Sequence, residues 1–215
     1  MSSSKNLYQN MLPTPFFERE DVVGIARELI GKFLYSTIGG QLVGGRIVET
    51  EAYRAPEDRA CHAYGNRRTA RTETMFAAPG TSYVYLCYGI HKMLNVVTAP
   101  TGTAHAILIR AIEPTEGLEV MRERRNHPKQ EADLTNGPGK VGQAIGLELS
   151  HNAIDLTRVG SPVWLTEAPT LPAEQIVSGP RVGVAFAGSC ALRPWRFRLR
   201  GNRFAGRQEP TYVVD

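Results

Sequence analysis

The stretch RIVETEAYRAPEDRACH, Arg46 to His62, constrains this chain more than any other. Read in twos, Val48, Thr50 and Ala52 fall on one side, and Glu49, Glu51 and Tyr53 on the other. An extended strand separates these sets, whereas a helix would mix them. The stretch is therefore a strand with a small, largely apolar core side. Its other side carries two carboxylates and a phenol and is expected to border a cleft. Pro56 ends the ladder because it has no N–H to donate. By itself the stretch fits an ordinary solvated strand face, or a general base beside an aromatic platform.

The flanking segments give this strand partners. Val22, Ile25, Ala26, Leu29 and Ile30 repeat at helical spacing between a cap at Asp21 and a stop at Gly31. Lys32–Ile38 reads as a strand, Gly39-Gly40 as a turn, and 41–53 as the returning arm. Residues 54–74 form a polar, arginine-rich loop of a length usually kept for function. Thr81–Tyr88 is a strand with Tyr83, Tyr85 and Cys87 on one face; Tyr88-Gly89 begins a turn, and Lys92–Thr98 returns. Ala104–Ile112 is expected to end as a strand at Pro114, and Thr115 to cap a helix over Glu116–Arg125. Asn136-Gly137-Pro138 opens a short helix. Val163–Thr166 is predicted as a short strand, 167–180 as irregular, and Arg181–Phe186 as strand-like. In the last strand Trp195, Phe197 and Leu199 point inward and Arg196, Arg198 and Arg200 outward, as on a basic edge.

Charge narrows the partners. The net charge is only +4, but Arg181 to Arg207 holds seven arginines and no acid, and Arg59, Arg67, Arg68 and Arg71 form a second cluster. Such clustering points to a polyanion, of which nucleic acid is the commonest. The three cysteines are scattered without a CxxC pair, which argues against a disulfide framework or a zinc site. The residues call for no metal and no cofactor. The first twelve residues lack a signal-peptide core, and no apolar run approaches bilayer length, so a cytoplasmic protein without membrane contact is expected.

Aromatic strands among arginines suit splayed nucleobases, and a carboxylate in such a pocket can activate water against a glycosidic bond. Here the motifs RIVETEAY, PED-x-A-x-H, MF-x-x-PGT-x-YVY-x-x-YG and RGNRF, in order from about Thr14 to Phe204, closely resemble the 3-methyladenine (alkyladenine) DNA glycosylase family. The resemblance implies that Glu51 is the general base that activates water against C1′ of a flipped nucleotide. It implies that Tyr53 and Tyr85 are aromatic walls of the base pocket, with His62 at its edge. Asn95 matches a pocket asparagine that crowds the 2-amino group of guanine. Tyr88 resembles the wedge that fills the gap left by flipping. Arg110 matches an arginine supporting the nucleotide's phosphate region, and Lys140 a DNA-backbone contact. Glu49, Glu57 and Asp58 are expected to be architecture.

Pattern and resemblance together predict an α+β fold: a curved, open barrel-like antiparallel sheet with peripheral helices. Residues 1–12 are expected to form a flexible N-terminus and 13–215 a single domain. The expected protein is a monomeric, monofunctional glycosylase acting on damaged purines in double-stranded DNA and leaving an abasic site. The alternative is an open-barrel nucleic-acid-binding module without catalysis, in which Glu51 is dispensable.

Overall fold

A computed structural model describes residues 8–206 of the chain. Two short helices come first, α1 (Thr14–Glu18) and α2 (Val22–Glu28). The Asp21 carboxylate accepts the Gly24 N–H at 2.9 Å and caps α2 as expected, but the helix ends earlier than predicted, at Glu28 with Leu29 as its cap, and Gly31, with φ +95°, lies beyond it with its N–H bonded to the Ile47 carbonyl at 2.8 Å. The strands are β1 (Phe33–Ser36), β2 (Val43–Arg54), β3 (Ser82–Cys87), β4 (His91–Thr98), β5 (His105–Glu116), β6 (Val163–Thr166), β7 (Ile176–Gly179) and β8 (Arg196–Leu199). Between β5 and β6 lie α3 (Leu118–Arg124) and α4 (Pro138–Ala144).

Every pairing in the sheet is antiparallel. The main path runs β3-β4-β5-β2-β1-β6, curled into a half-barrel, and β8 joins β2 to β7. On one edge β2 follows β5 along most of its length. On the other edge it pairs first with β1, through Val43–Arg46, and then with β8, through Glu49–Glu51. This central position leaves β2 paired along both edges.

The main core lies between the sheet and its helices. Val22, Ile25, Ala26 and Leu29 of α2 are completely buried, and Thr50 Oγ1 donates to the Ala26 carbonyl at 2.7 Å. Each such Ile or Leu contributes roughly 1.5–3 kcal/mol by burial. α4 lies so close to β4 that a Cβ on Gly142 would sit 2.1 Å from the Lys92 carbonyl. A second cluster forms beneath the long loop, where Ala55, Cys61, Met75, Phe76 and Ala106 surround Tyr83. The 54–74 loop is thus packed, and its cluster backs the pocket wall.

Several local expectations need correction. β5 continues through Pro114, because the register with β2 slips between Gly44 and Gly45 and Thr115 bulges beside the proline. Thr115 therefore caps nothing, and Gly117, with φ +67°, precedes α3. The strand expected at Arg181–Phe186 lies instead at Ile176–Gly179, inside the segment read as irregular. β8 is not an edge: it pairs with both β2 and β7, and Arg196 points inward. Residues 1–7 of the expected flexible terminus lie outside the described residues. From Tyr8 the chain lies along β6, with the Tyr8 ring 4.6 Å from Trp164 and Leu12 N–H bonded to the Leu165 carbonyl at 2.9 Å. Among the described residues no helix is long and apolar enough to cross a membrane.

Candidate active site

Period-two alternation places Glu49, Glu51 and Tyr53 in one row on β2. Central placement in the sheet buries the first two to 1% and 0% exposure. The row meets the cavity through Tyr53, and its carboxylates are not solvated. Instead, each carboxylate is held by a defined set of donors.

Glu49 belongs to the scaffold. It accepts from Arg110 Nε at 2.8 Å, Arg196 Nε at 2.7 Å and the Gly206 N–H at 2.6 Å. Burial pushes its carboxyl up, but the two guanidinium groups and the Gly206 N–H outweigh burial and hold it below the usual carboxylate value. This pairing turns Arg196 inward, because a buried acid makes an arginine a core residue.

Glu51 is bound differently. Its Oε1 accepts the Val182 N–H at 2.7 Å, and its Oε2 accepts Tyr53 OH at 2.7 Å and Arg110 Nη1 at 3.2 Å. Tyr53, Arg110 and Val182 all line one cavity of about 470 Å³. That size suits a small organic ligand. The carboxylate therefore sits directly behind the cavity wall. Among the described residues three donors occupy it, while a carboxylate offers about four acceptor positions. Burial and the Glu51 charge push the Tyr53 hydroxyl well above its usual range, so it remains a donor. Desolvation opposes the charge on Arg110, but Glu51 and Glu49 outweigh it and keep the guanidinium protonated.

The remaining walls are aromatic. The His62 ring meets Tyr85 edge-on at 4.7 Å, and Tyr83 lies 5.4 Å from Tyr85. Arg71 Nη2 lies 3.4 Å from His62 Nε2, and Tyr83 OH lies 2.9 Å from Nδ1. An arginine can only donate, which assigns the His62 proton to Nδ1, donating to the Tyr83 oxygen. The ring is open toward the cavity and shielded on its protein side. That partial desolvation, with Arg71 beside it, pushes its pKa down to about 4. Burial likewise pushes the Tyr83 hydroxyl up to about 12. Asn95 is buried, and its Nδ2 donates to the Tyr83 carbonyl at 3.0 Å, which fixes the amide in the cavity wall.

Tyr88 stands at the mouth, 88% exposed, on the β3–β4 turn. Its φ is +51° and that of Gly89 is +73°, a turn of the tight hairpin kind. A bulky aromatic in left-handed backbone costs about 1–3 kcal/mol, and burial returns nothing to it. The cavity-lining Phe186 is also exposed, at 73%.

The expected site residues therefore converge, with one exception. Glu51, Tyr53, His62, Tyr85, Tyr88, Asn95 and Arg110 line the cavity or back its wall. Lys140 is not among the lining residues; its Nζ binds Asp133 at 2.9 Å and Asn136 at 2.7 Å. Arg110 faces the two glutamates and lines the cavity at the same time. Sequence reasoning placed Arg71 in a basic cluster and Tyr83 on a strand face but assigned neither to the pocket, and it did not name Val182. Tyr83 had a legible signal, two residues before Tyr85 on the same strand face. The Val182 N–H had none, since a backbone donor leaves no mark in composition. Much of the basic run is used internally: Arg181 pairs with Asp58, Arg196 with Glu49 and Arg203 with Glu131. Arg59, Arg67 and Arg71 have no carboxylate partner among the described residues. No cluster of three possible metal ligands occurs among the described residues.

Comparison with known proteins gives the family. The family model for methylpurine-DNA glycosylase matches residues 15–203. A protein of Chlamydia felis named "Putative 3-methyladenine DNA glycosylase" is 45% identical over 192 residues, covering 88% of this chain and 96% of its own length. Proteins bearing the same name from Natranaerobius thermophilus and Bacillus cereus are 43% and 39% identical, over 88% and 92% of this chain and 95% and 100% of their own lengths. With nearly the whole chain matched, the protein belongs to the methylpurine-DNA glycosylase family, hydrolases that act on N-glycosyl bonds.

Proposed function

We propose that the cavity receives a damaged purine flipped out of double-stranded DNA, and that Glu51 activates the water that releases it. The coarser activity, a DNA glycosylase for alkylated bases, follows from the family. The finer reading rests chiefly on one observation. A fully buried carboxylate lies behind an aromatic cavity, and all three of its donors are themselves cavity-lining groups.

The geometry supports the following steps. Tyr88, exposed on its turn, enters the duplex and takes the place of the displaced base. The extruded purine stacks among Tyr53, Tyr85 and His62. His62 is neutral near pH 7, so it places no full charge against the bound base. Asn95, fixed by the Tyr83 carbonyl, crowds the position of a guanine 2-amino group. An N-alkylated purine is already cationic and leaves readily, so the protein's main contributions are a base and electrostatic stabilisation. Water takes the remaining acceptor position of Glu51, passes a proton to the carboxylate and attacks C1′ as the C1′–N bond breaks. The base departs with the bonding electron pair, and an abasic site remains. Arg110 offsets negative charge around Glu51 before the proton arrives. Among the described residues no lysine lines the cavity to form a covalent imine, which supports a monofunctional reaction.

Glu51→Gln tests this directly. Release of 3-methyladenine or 7-methylguanine from duplex DNA should fall by about 10²–10⁴-fold. Binding to the same duplex, followed by gel shift, should persist. Release at the wild-type rate would reject Glu51 as the base and leave the binding-module reading.

A further inference from the structure

A buried ion pair lies just outside the site described so far. Arg181 and Asp58 both have fully buried side chains, and they meet in a bidentate contact, Nη1 to Oδ2 at 2.5 Å and Nη2 to Oδ1 at 2.8 Å. Arg181 also donates to the Ala52 carbonyl at 2.8 Å and the Cys190 carbonyl at 3.1 Å. Its guanidinium lies 4.8 Å from the Tyr53 ring centre and 5.2 Å from that of Trp195. Asp58 in turn accepts the Ala60 N–H at 3.2 Å. One arginine thus joins the end of β2, the loop after it and the segment leading to Cys190.

These contacts bear on Glu51 from two sides. Tyr53, against whose ring the guanidinium lies, donates its hydroxyl to Oε2. Val182, the next residue in the chain, donates its N–H to Oε1. The third donor, Arg110, is held separately by Glu49. We infer that the Asp58–Arg181 pair is a positioning unit for the base-release step, fixing the Tyr53 ring and the Val182 N–H that together aim the Glu51 carboxylate. Stability alone is a poor reason for such a pair, since apolar residues of similar volume often serve a core as well or better. A guanidinium supplies what those residues lack: a rigid fork of donors and a flat face for aromatic rings. The unit touches neither base nor water and acts only through its neighbours.

This inference rests on the role of Glu51 given under Proposed function, and the experiment separates the two. Three proteins are compared: Glu51→Gln, Arg181→Lys, and the double variant Asp58→Asn/Arg181→Met. The double variant leaves no uncompensated buried charge, so its folding is not burdened by a lone ion. Thermal midpoint, affinity for duplex DNA carrying 7-methylguanine, and single-turnover base release are measured for each. The expected result is a folded protein in which release slows at least tenfold more than affinity weakens, for both Arg181 variants. A structural defect would instead lower the thermal midpoint and the active fraction, without a selective loss of rate in the folded protein. Wild-type release by either folded Arg181 variant overturns the inference, even when Glu51→Gln is inactive. Failure of both to fold also overturns it, by assigning the pair to stability. Release by Glu51→Gln at the wild-type rate removes the Glu51 reading itself.

Discussion

Replacing Glu49 with alanine isolates the scaffold half of the acidic row. Glu49, Glu51, Arg110 and Arg196 form a buried group of two negative and two positive charges. Removing one acid leaves an excess positive charge, takes from Arg196 its Glu49 partner and deprives the Gly206 N–H of its Glu49 acceptor. Breaking a buried pair from one side costs about 3–5 kcal/mol. For a chain of this size each kcal/mol moves the thermal midpoint by roughly 2–4 °C, so a fall of about 10 °C is expected. Urea unfolding at pH 7, followed by circular dichroism, gives the free energy independently. The pH dependence supplies a further check. The folded carboxyl titrates below its ordinary value, so its contribution is present above that value, 4.5, and is lost as pH falls through the folded pKa. The difference between wild type and Glu49→Ala should therefore narrow in acid. Adding Arg196→Ala removes the excess charge, and the double variant should lose less than the sum of the singles. A shift under about 2 °C at neutral pH, with additive singles, would refute the claim that this cluster is a balanced electrostatic unit.

Other perturbations read other parts of the site. Tyr88→Gly relieves the left-handed backbone and should raise stability by up to ~1 kcal/mol while slowing release from a paired lesion more than from an unpaired one; equal slowing would argue against a wedge. His62 is held neutral down to about pH 4 in the fold but takes up a proton near 6.5 when unfolded, so stability should drop as pH falls through that window. His62→Gln should flatten the drop in an unfolding titration, and an unchanged slope would assign it to other groups. Arg67→Ala should leave the midpoint unchanged and lower the slope of log affinity against log salt by about one if the residue meets a phosphate.

What was legible in the sequence was mostly local. Alternation in RIVETEAY gave the strand and the shared face of Glu49, Glu51 and Tyr53, and Asp21 marked the start of α2, whereas Gly31 lies beyond its end at Glu28. Burial was not legible, because a period of two assigns side chains to faces without saying what covers each face. The arginines of β8 were misplaced for that reason: Arg196 was read as outward although Glu49 waits for it across the strand pair. Pro114 misled because the bulge that accommodates it depends on register with Gly44 and Gly45, some seventy residues earlier in the chain. Val182 and Arg181 stayed hidden because their partners, Glu51 and Asp58, are more than 120 residues away and become neighbours only through the fold.

The double-sided pairing of β2 also limits which changes in chain length the protein can accept. Around Glu49–Glu51 the strand is hydrogen-bonded to β5 on one side and β8 on the other, so it has no free edge along which to slide. Inserting or deleting one residue between Val48 and Tyr53 would exchange the two faces. Placed just before Glu49, such a change would point both glutamates at α2 and its buried Val22, Ile25 and Ala26; placed between Glu49 and Glu51, it would put the two on opposite faces. Indels are therefore excluded from this segment, whereas the Gly39-Gly40 turn before it, where a Cβ on Gly40 would meet only open space, can absorb them.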